Sequence, residues 1–391
     1  MKIRRNALCL CDSGRKYKHC CGAPSSAATS QLPSIYASGL PPELIAKIME
    51  TKAKLDRRQA WPYTHGEIPP PATHLSEDGI RFTSAGGRIY RSQTDITWHG
   101  FLYDHLQDIL GSEWFAGEAY KPHGERHILV QWYEYVCERE MGDDYQFNRG
   151  TPETEIGATL AFRSVAYDLW CMAQACNISE PLLERLRHPD QFEGARYELW
   201  VAACFFRAGF SIEFEDETDR RKRHCEFVAT DKRTGTKYSV EAKRRHRSLE
   251  HKQAFHDGRY IKLDISKMIA DALSKNADHE RIIFLDVNMP PNEGSIVDAP
   301  WIKEFKASKE LLERQPHFRH RVDLNAFLMA TNHPYHYVAS TKPDPRQHFL
   351  ATSFNQPELY KNGALIEKEH PVILRLVLSI NQHFAIPEDL C

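Results

Sequence analysis

Residues 196–247 read RYELWVAACFFRAGFSIEFEDETDRRKRHCEFVATDKRTGTKYSVEAKRRHR. The opening is apolar at helical spacing and predicts a helix that carries Glu198. Phe210, Ile212 and Phe214 then alternate with polar residues, which predicts a short strand. A second strand opens on Glu226, and a charged turn over 231–235 leads to a third strand over 237–243. Glu241 and Lys243 stand two apart on that strand, so they leave one face of the sheet while Val240 and Ala242 leave the other. Glu198 sits among Tyr197, Leu199, Trp200 and Val201, where a carboxylate calls for a partner or a metal. Two acids on adjacent strands, a third on a helix and a lysine beside them are the groups that metal-assisted phosphodiester hydrolysis needs. The plainer alternative is a surface strand with alternating charges and no chemistry.

The downstream sequence supplies an α/β surround. A helix is predicted over 263–273, and the nearly continuous apolar run 282–287 reads as a strand covered on both faces. A helix over 301–312 and a second buried strand over 325–331 follow, and 363–378 closes on a β-rich run at 372–378. From 191 onward the order is helix, three strands, helix, strand, helix, strand, an α/β layer arrangement.

This arrangement resembles the PD-(D/E)xK, or restriction-endonuclease-like, superfamily over about residues 192–290. The resemblance implies a central mixed sheet flanked by helices, with the family's second acid and lysine at Glu241 and Lys243. Its first strand acid falls on Glu226, where aspartate is commoner and where Cys225 replaces the usual preceding proline. Its helix glutamate falls on Glu198. By that resemblance Glu198, Glu226 and Glu241 hold Mg²⁺ or Mn²⁺, and Lys243 orients water or stabilises the phosphate. Arg244, Arg245 and Arg247 are placed to meet nucleic-acid phosphates, and His246 and His251 are further candidate bases.

The N-terminus, NALCLCDSGRKYKHCCG over 6–22, sets Cys9, Cys11, Cys20 and Cys21 in a C-x-C-x8-C-C pattern. So short a segment has no core of its own, and four thiolates on one Zn²⁺ would supply its folding energy. His19 is an alternative ligand, and free cysteines in a tail are the metal-free alternative. The segment closely resembles the SEC-C motif, a small zinc module appended to many otherwise unrelated bacterial proteins. Arg5, Asn6, Ser13, Gly14, Lys16, Tyr17 and Lys18 keep its pattern with the four cysteines, while Leu8 and Asp12 depart from it. The resemblance implies zinc and a binding role toward protein or nucleic acid.

Residues 24–40 have linker composition. Beyond them, 41–190 reads as a mostly helical accessory region, with helices over 41–58, 98–110, 126–140, 153–175 and 179–188. A hairpin is predicted from strands 80–83 and 88–92 around Gly86-Gly87. Trp114, Glu118, Lys121 and His127 form a polar–aromatic group that ordinary capping explains. The expected division is therefore a zinc module at 1–23, a linker at 24–40, a helical region at 41–190 and a nuclease-like domain at 191–391.

The 391 residues carry 51 Lys and Arg against 53 Asp and Glu, so no global charge announces a polyanionic partner. No apolar run spans a membrane, and the N-terminus lacks a hydrophobic signal core, so a cytoplasmic location is expected. The leading expectation is a metal-dependent nuclease acting on DNA, with a homodimer as one candidate assembly, in a defence or DNA-processing setting that the resemblance implies. The alternative is a non-catalytic binding protein that uses the nuclease-like fold as a scaffold and the zinc module to dock a partner.

Overall fold

The computed structural model describes residues 42–76, 78–93, 97–140, 157–175, 178–215, 224–245, 263–289, 299–319, 321–333, 349–356, 367–383 and 386–387. The chain falls into two compact units that divide after Gln59. In the first, the described part is the opening of helix α1 (Pro42–His65), where Leu44, Ile48, Met49 and Leu55 are exposed. The helix runs past its expected end at 58 and through Pro62.

The second unit begins with a small antiparallel sheet of β1 (Thr73–Leu75), β2 (Ile80–Ala85) and β3 (Arg88–Gln93). Gly86 and Gly87 join β2 to β3 at φ 57° and 75°, the left-handed pair that a tight hairpin turn requires. Helices α2 (Trp98–Leu110), α3 (Ser112–Ala119), α4 (Ile128–Glu140), α5 (Gly157–Ala175) and α6 (Glu180–Arg187) follow. Thr97 caps α2, its side chain accepting the Gly100 N–H at 3.1 Å. The predicted polar–aromatic group does assemble: Glu118 accepts from Lys121 and from the His127 N–H, and the His127 ring meets Trp114 edge-on. It fastens α3 to the start of α4, which is a structural use.

Helix α7 (Phe192–Arg207) is apolar nearly all round and buried on every side. Toward the helices it sets Phe192 against Trp132 and Arg196 over the Trp132 ring. Arg207 pairs there with Asp168 of α5 at 3.1 Å, both side chains 4% exposed. Toward the sheet it sets Trp200 against Phe284 and Phe205 against Phe227 and Phe284. Gly209, at φ 88°, ends the helix and turns the chain into the first strand of the main sheet.

That sheet has six strands in the order β4 (Phe210–Phe214), β5 (Phe227–Asp231), β6 (Lys237–Arg244), β7 (Glu280–Asp286), β8 (Ala326–Thr331) and β9 (Phe349–Phe354). β6, β7 and β8 run parallel to one another and the outer pairings are antiparallel. Helices α8 (Ile265–Leu273) and α9 (Pro300–Arg314) cover one face, packing with Ile283, Leu285, Leu328 and Ala330. The other face carries Phe227, Val240, Phe284 and Met329, packed with α7 and with α10 (Pro371–Gln382). This is the α/β arrangement of a mixed sheet between helices that the sequence predicts.

Two readings are corrected. The run 372–378, expected as β structure, lies in α10: Pro371 suits the first helical turn, and buried Val372, Ile373, Leu376 and Ile380 recur at helical spacing. The edge strand β9, which no expectation covered, completes the sheet against β8. Residues 60–391 form one compact unit, in which one hydrophobic core joins α2, α4, α5 and α6 to the sheet through α7 and a second fills the opposite face beneath α8 and α9.

Three buried histidines in this unit make acid stability predictable. Burial pushes His65 down to about 3, with His383 and Arg207 adding to the effect, while burial takes His105 and His127 to about 4. Their folded values lie below the ordinary 6.5, so the unfolded chain takes up protons that the folded chain refuses. Stability is therefore expected to be full above about pH 6.5 and to fall as pH drops toward 4. Thermal midpoints between pH 7 and 4 check this, and a midpoint flat until carboxylates titrate near about pH 4 contradicts it.

Candidate active site

The register of β5 on β6 pairs Phe227 with Val240, and the Glu226 N–H donates to the Val240 carbonyl at 2.9 Å. Glu226 lies in the bend just before β5 begins, and its carboxylate and that of Glu241 approach the same Lys243 ammonium. Two like charges brought this close are destabilising unless a cation lies between or beside them. Lys243 supplies one: its Nζ lies 2.6 Å from Glu241 Oε1 and 3.9 Å from Glu226 Oε1.

Glu241 is 1% exposed, and its Oε2 is buried with no hydrogen-bond partner among the described residues. Burial first, and then the neighbouring Glu226 carboxylate, push Glu241 above its ordinary range against the pull of Lys243 and Lys275. Burial alone would lower Lys243, but Glu241 and Glu226 outweigh it and raise its pKa. Cys225, next to Glu226, is buried and directs its thiol at the Asn276 carbonyl. Burial, reinforced by Glu241, takes that thiol up to about 12, so it is no nucleophile at neutral pH.

Two participants escape a reading of the sequence. Lys275, just past the end of α8, lies 3.6 Å from Glu241 Oε1 and donates to the His224 carbonyl at 2.9 Å. Asp271, exposed on α8, adds its charge to those that raise Lys243. Neither residue belongs to a motif, and only the packing of α8 over this face brings them in. The amphipathic pattern of 263–273 was the one available signal, since it shows that the helix must cover a sheet.

The structure brings Glu226, Glu241 and Lys243 together and does not bring Glu198 to them. α7 covers the face of Phe227, Val240 and Phe284, whereas Glu241 and Lys243 leave the opposite face. The Glu198 carboxylate, 4% exposed, instead pairs with Arg185 of α6 at 2.7 Å.

Arg244 and Arg245 also differ from expectation, because both turn inward. Arg244 Nε lies 2.9 Å from Glu193 and 3.3 Å from Asp286, with its side chain 2% exposed. Arg245 donates to the Val287 and Asn288 carbonyls at 2.7 Å each. These guanidiniums tie off the ends of the parallel strands, where Asp286 also accepts from Thr331 and from the His333 N–H. Nucleic-acid phosphates therefore do not meet Arg244 or Arg245 in this conformation. Arg247, His246, His251 and the four N-terminal cysteines lie outside the described residues.

Among the described residues, no group of three or more His, Cys, Asp and Glu side chains converges as a metal cluster, and no helix is long and apolar enough to cross a membrane. The site's donor set is nonetheless suited to a hard divalent cation: two carboxylates near one ammonium, one with a buried oxygen that accepts no hydrogen bond among the described residues. No curated protein and no solved structure matches the chain. Residues 5–23 match the family model of the SEC-C motif, so the chain carries that motif at its N-terminus.

Proposed function

We propose that this chain is a metal-dependent nuclease that hydrolyses phosphodiester bonds of nucleic acid, with DNA as the expected substrate. The observation that supports it is that buried Glu241 and partly exposed Glu226 share the Lys243 ammonium, at 2.6 and 3.9 Å. Glu226 and Glu241 would hold Mg²⁺ or Mn²⁺, which would neutralise charge building on the phosphate oxygens. Lys243, raised in pKa by the two acids, stays an ammonium at neutral pH and can hold the attacking water or donate to a phosphate oxygen. Glu198 has no place in this version of the site, since it is engaged by Arg185. Cys9, Cys11, Cys20 and Cys21 of the SEC-C motif would bind a structural Zn²⁺, and the module would dock a partner.

A second reading, a non-catalytic binding protein, has its own support. Only two carboxylates converge among the described residues, the two arginines after the strand turn inward, and the family match is to an appended motif. What the comparisons found fits this reading more directly than the first.

Cleavage separates the two. The full chain is incubated with double- and single-stranded DNA and with RNA, in Mg²⁺ or Mn²⁺ and in chelator. The nuclease reading expects cleavage that needs the cation and drops at least about a hundredfold in Glu241→Ala. Binding without cation-dependent cleavage, or equal cleavage by Glu241→Ala, rejects it in favour of the scaffold.

A further inference from the structure

Lys275 is a cationic group at this site that no motif assigns. Its Nζ donates to the His224 carbonyl at 2.9 Å and lies 3.6 Å from Glu241 Oε1, the same oxygen that Lys243 approaches at 2.6 Å. The first contact is a hydrogen bond, and the second is too long for one and holds by charge alone.

The segment that carries Lys275 is pinned without help from Glu241. Asn276 bridges to His224, the Cys225 thiol donates to the Asn276 carbonyl at 3.4 Å, and Arg281 donates to the Lys275 carbonyl at 3.1 Å. The ammonium is thus delivered to Glu241 by the backbone of two neighbouring segments. Two carboxylates then face two ammoniums, and the site is close to neutral without any metal.

We propose that Lys275 is a resident counter-cation that competes with a divalent metal for Glu241. The proposal rests on the metal-dependent reading above. In the metal-free chain Lys275 and Lys243 together hold the buried Glu241 carboxylate in place. When a divalent cation takes Glu241, the charge contact of Lys275 is lost but its hydrogen bond to the His224 carbonyl remains. The ammonium is then left at the rim of the site, 23% exposed, as a positive group available to a phosphate. The competition keeps the cation weakly held until an anionic substrate arrives to offset the added charge. Lys275 acts here as a positioning residue for charge, and the chemical step would fall to Lys243 with the bound cation.

The test is Mn²⁺ binding by the full chain, followed through the electron paramagnetic resonance signal of free Mn²⁺ at low ionic strength. Wild type is compared with Lys275→Met, which keeps the apolar stem, with Lys275→Gln as a second neutral variant, and with Lys275→Arg and Glu241→Gln. The neutral variants are expected to bind Mn²⁺ about five- to tenfold more tightly, because one like charge near the cation is gone, and the gain shrinks in high salt. Lys275→Arg stays near wild type, and Glu241→Gln loses binding. Neutral variants that bind Mn²⁺ no better than wild type overturn the competition, while loss in Glu241→Gln leaves the metal reading standing. Binding by wild type that survives Glu241→Gln counts against the metal reading itself, and absence of binding in every variant removes both. Binding seen only in the neutral variants is the strongest support, since wild-type Lys275 would then exclude the cation outright.

Discussion

Replacing Arg207 by leucine is expected to lower stability by about 3–5 kcal/mol. The side chain crosses from α7 to α5, where its guanidinium meets Asp168 at 3.1 Å with both groups 4% exposed. It also donates toward Cys204 at 3.3 Å and lies over the Tyr167 ring. Burial raises the Asp168 pKa, and Arg207 is the first of the groups that oppose this. Leucine removes that support and leaves a carboxylate that must either remain charged in an apolar interior or take up a proton. A buried ion pair is costly to break and much less costly to replace. The double variant Arg207→Leu with Asp168→Leu is therefore expected to recover most of the loss. Urea unfolding of the four members of this cycle checks it. A single-variant cost under about 1 kcal/mol, or a double variant weaker than Arg207→Leu, contradicts the account.

The second large effect concerns Lys243. If the nuclease reading holds, Lys243→Ala lowers kcat by about 10²–10³ while the chain still binds Mn²⁺. The ammonium reaches both acids but is not itself a metal donor, so its removal leaves the two carboxylates in place. Glu241→Gln, by contrast, is expected to lose metal binding and cleavage together. The diagnostic is this split, with metal affinity kept in one variant and lost in the other. Lys243→Ala with unchanged kcat, or with Mn²⁺ binding abolished, removes the role given to Lys243.

Much of the sheet was legible because strands β4 to β6 alternate and β7 and β8 are nearly pure apolar runs. Each pattern follows from how many faces a strand buries. The relation of Glu241 to Lys243 was legible for the same reason, since a period of two fixes it within one strand. The location of Glu198 was not. A helix apolar nearly all round does not disclose which side meets the sheet, and the carboxylate found Arg185 on α6. The destinations of Arg244 and Arg245 are set by Glu193, Asp286 and the Val287 and Asn288 carbonyls, partners supplied by other segments of the chain. Lys275 was hidden in the same way, as an unremarkable lysine after a helix until α8 is laid over β6. The closing helix α10 was misread because Val372, Ile373, Val377 and their neighbours favour strands by composition, and burial at helical spacing overrides that preference.

Helix α7 changes what counts as a replaceable part of this protein. It serves as the core helix for the α/β sheet and as the central member of the helical layer, with one set of side chains for each. A module that is to be exchanged between proteins needs a boundary few contacts cross, and here one helix is owned by both sides. Residues 60–190 and the sheet therefore share one support: α5 packs on the same helix that packs on β5 and β6. In this chain the helical layer is part of the same heritable unit as the site.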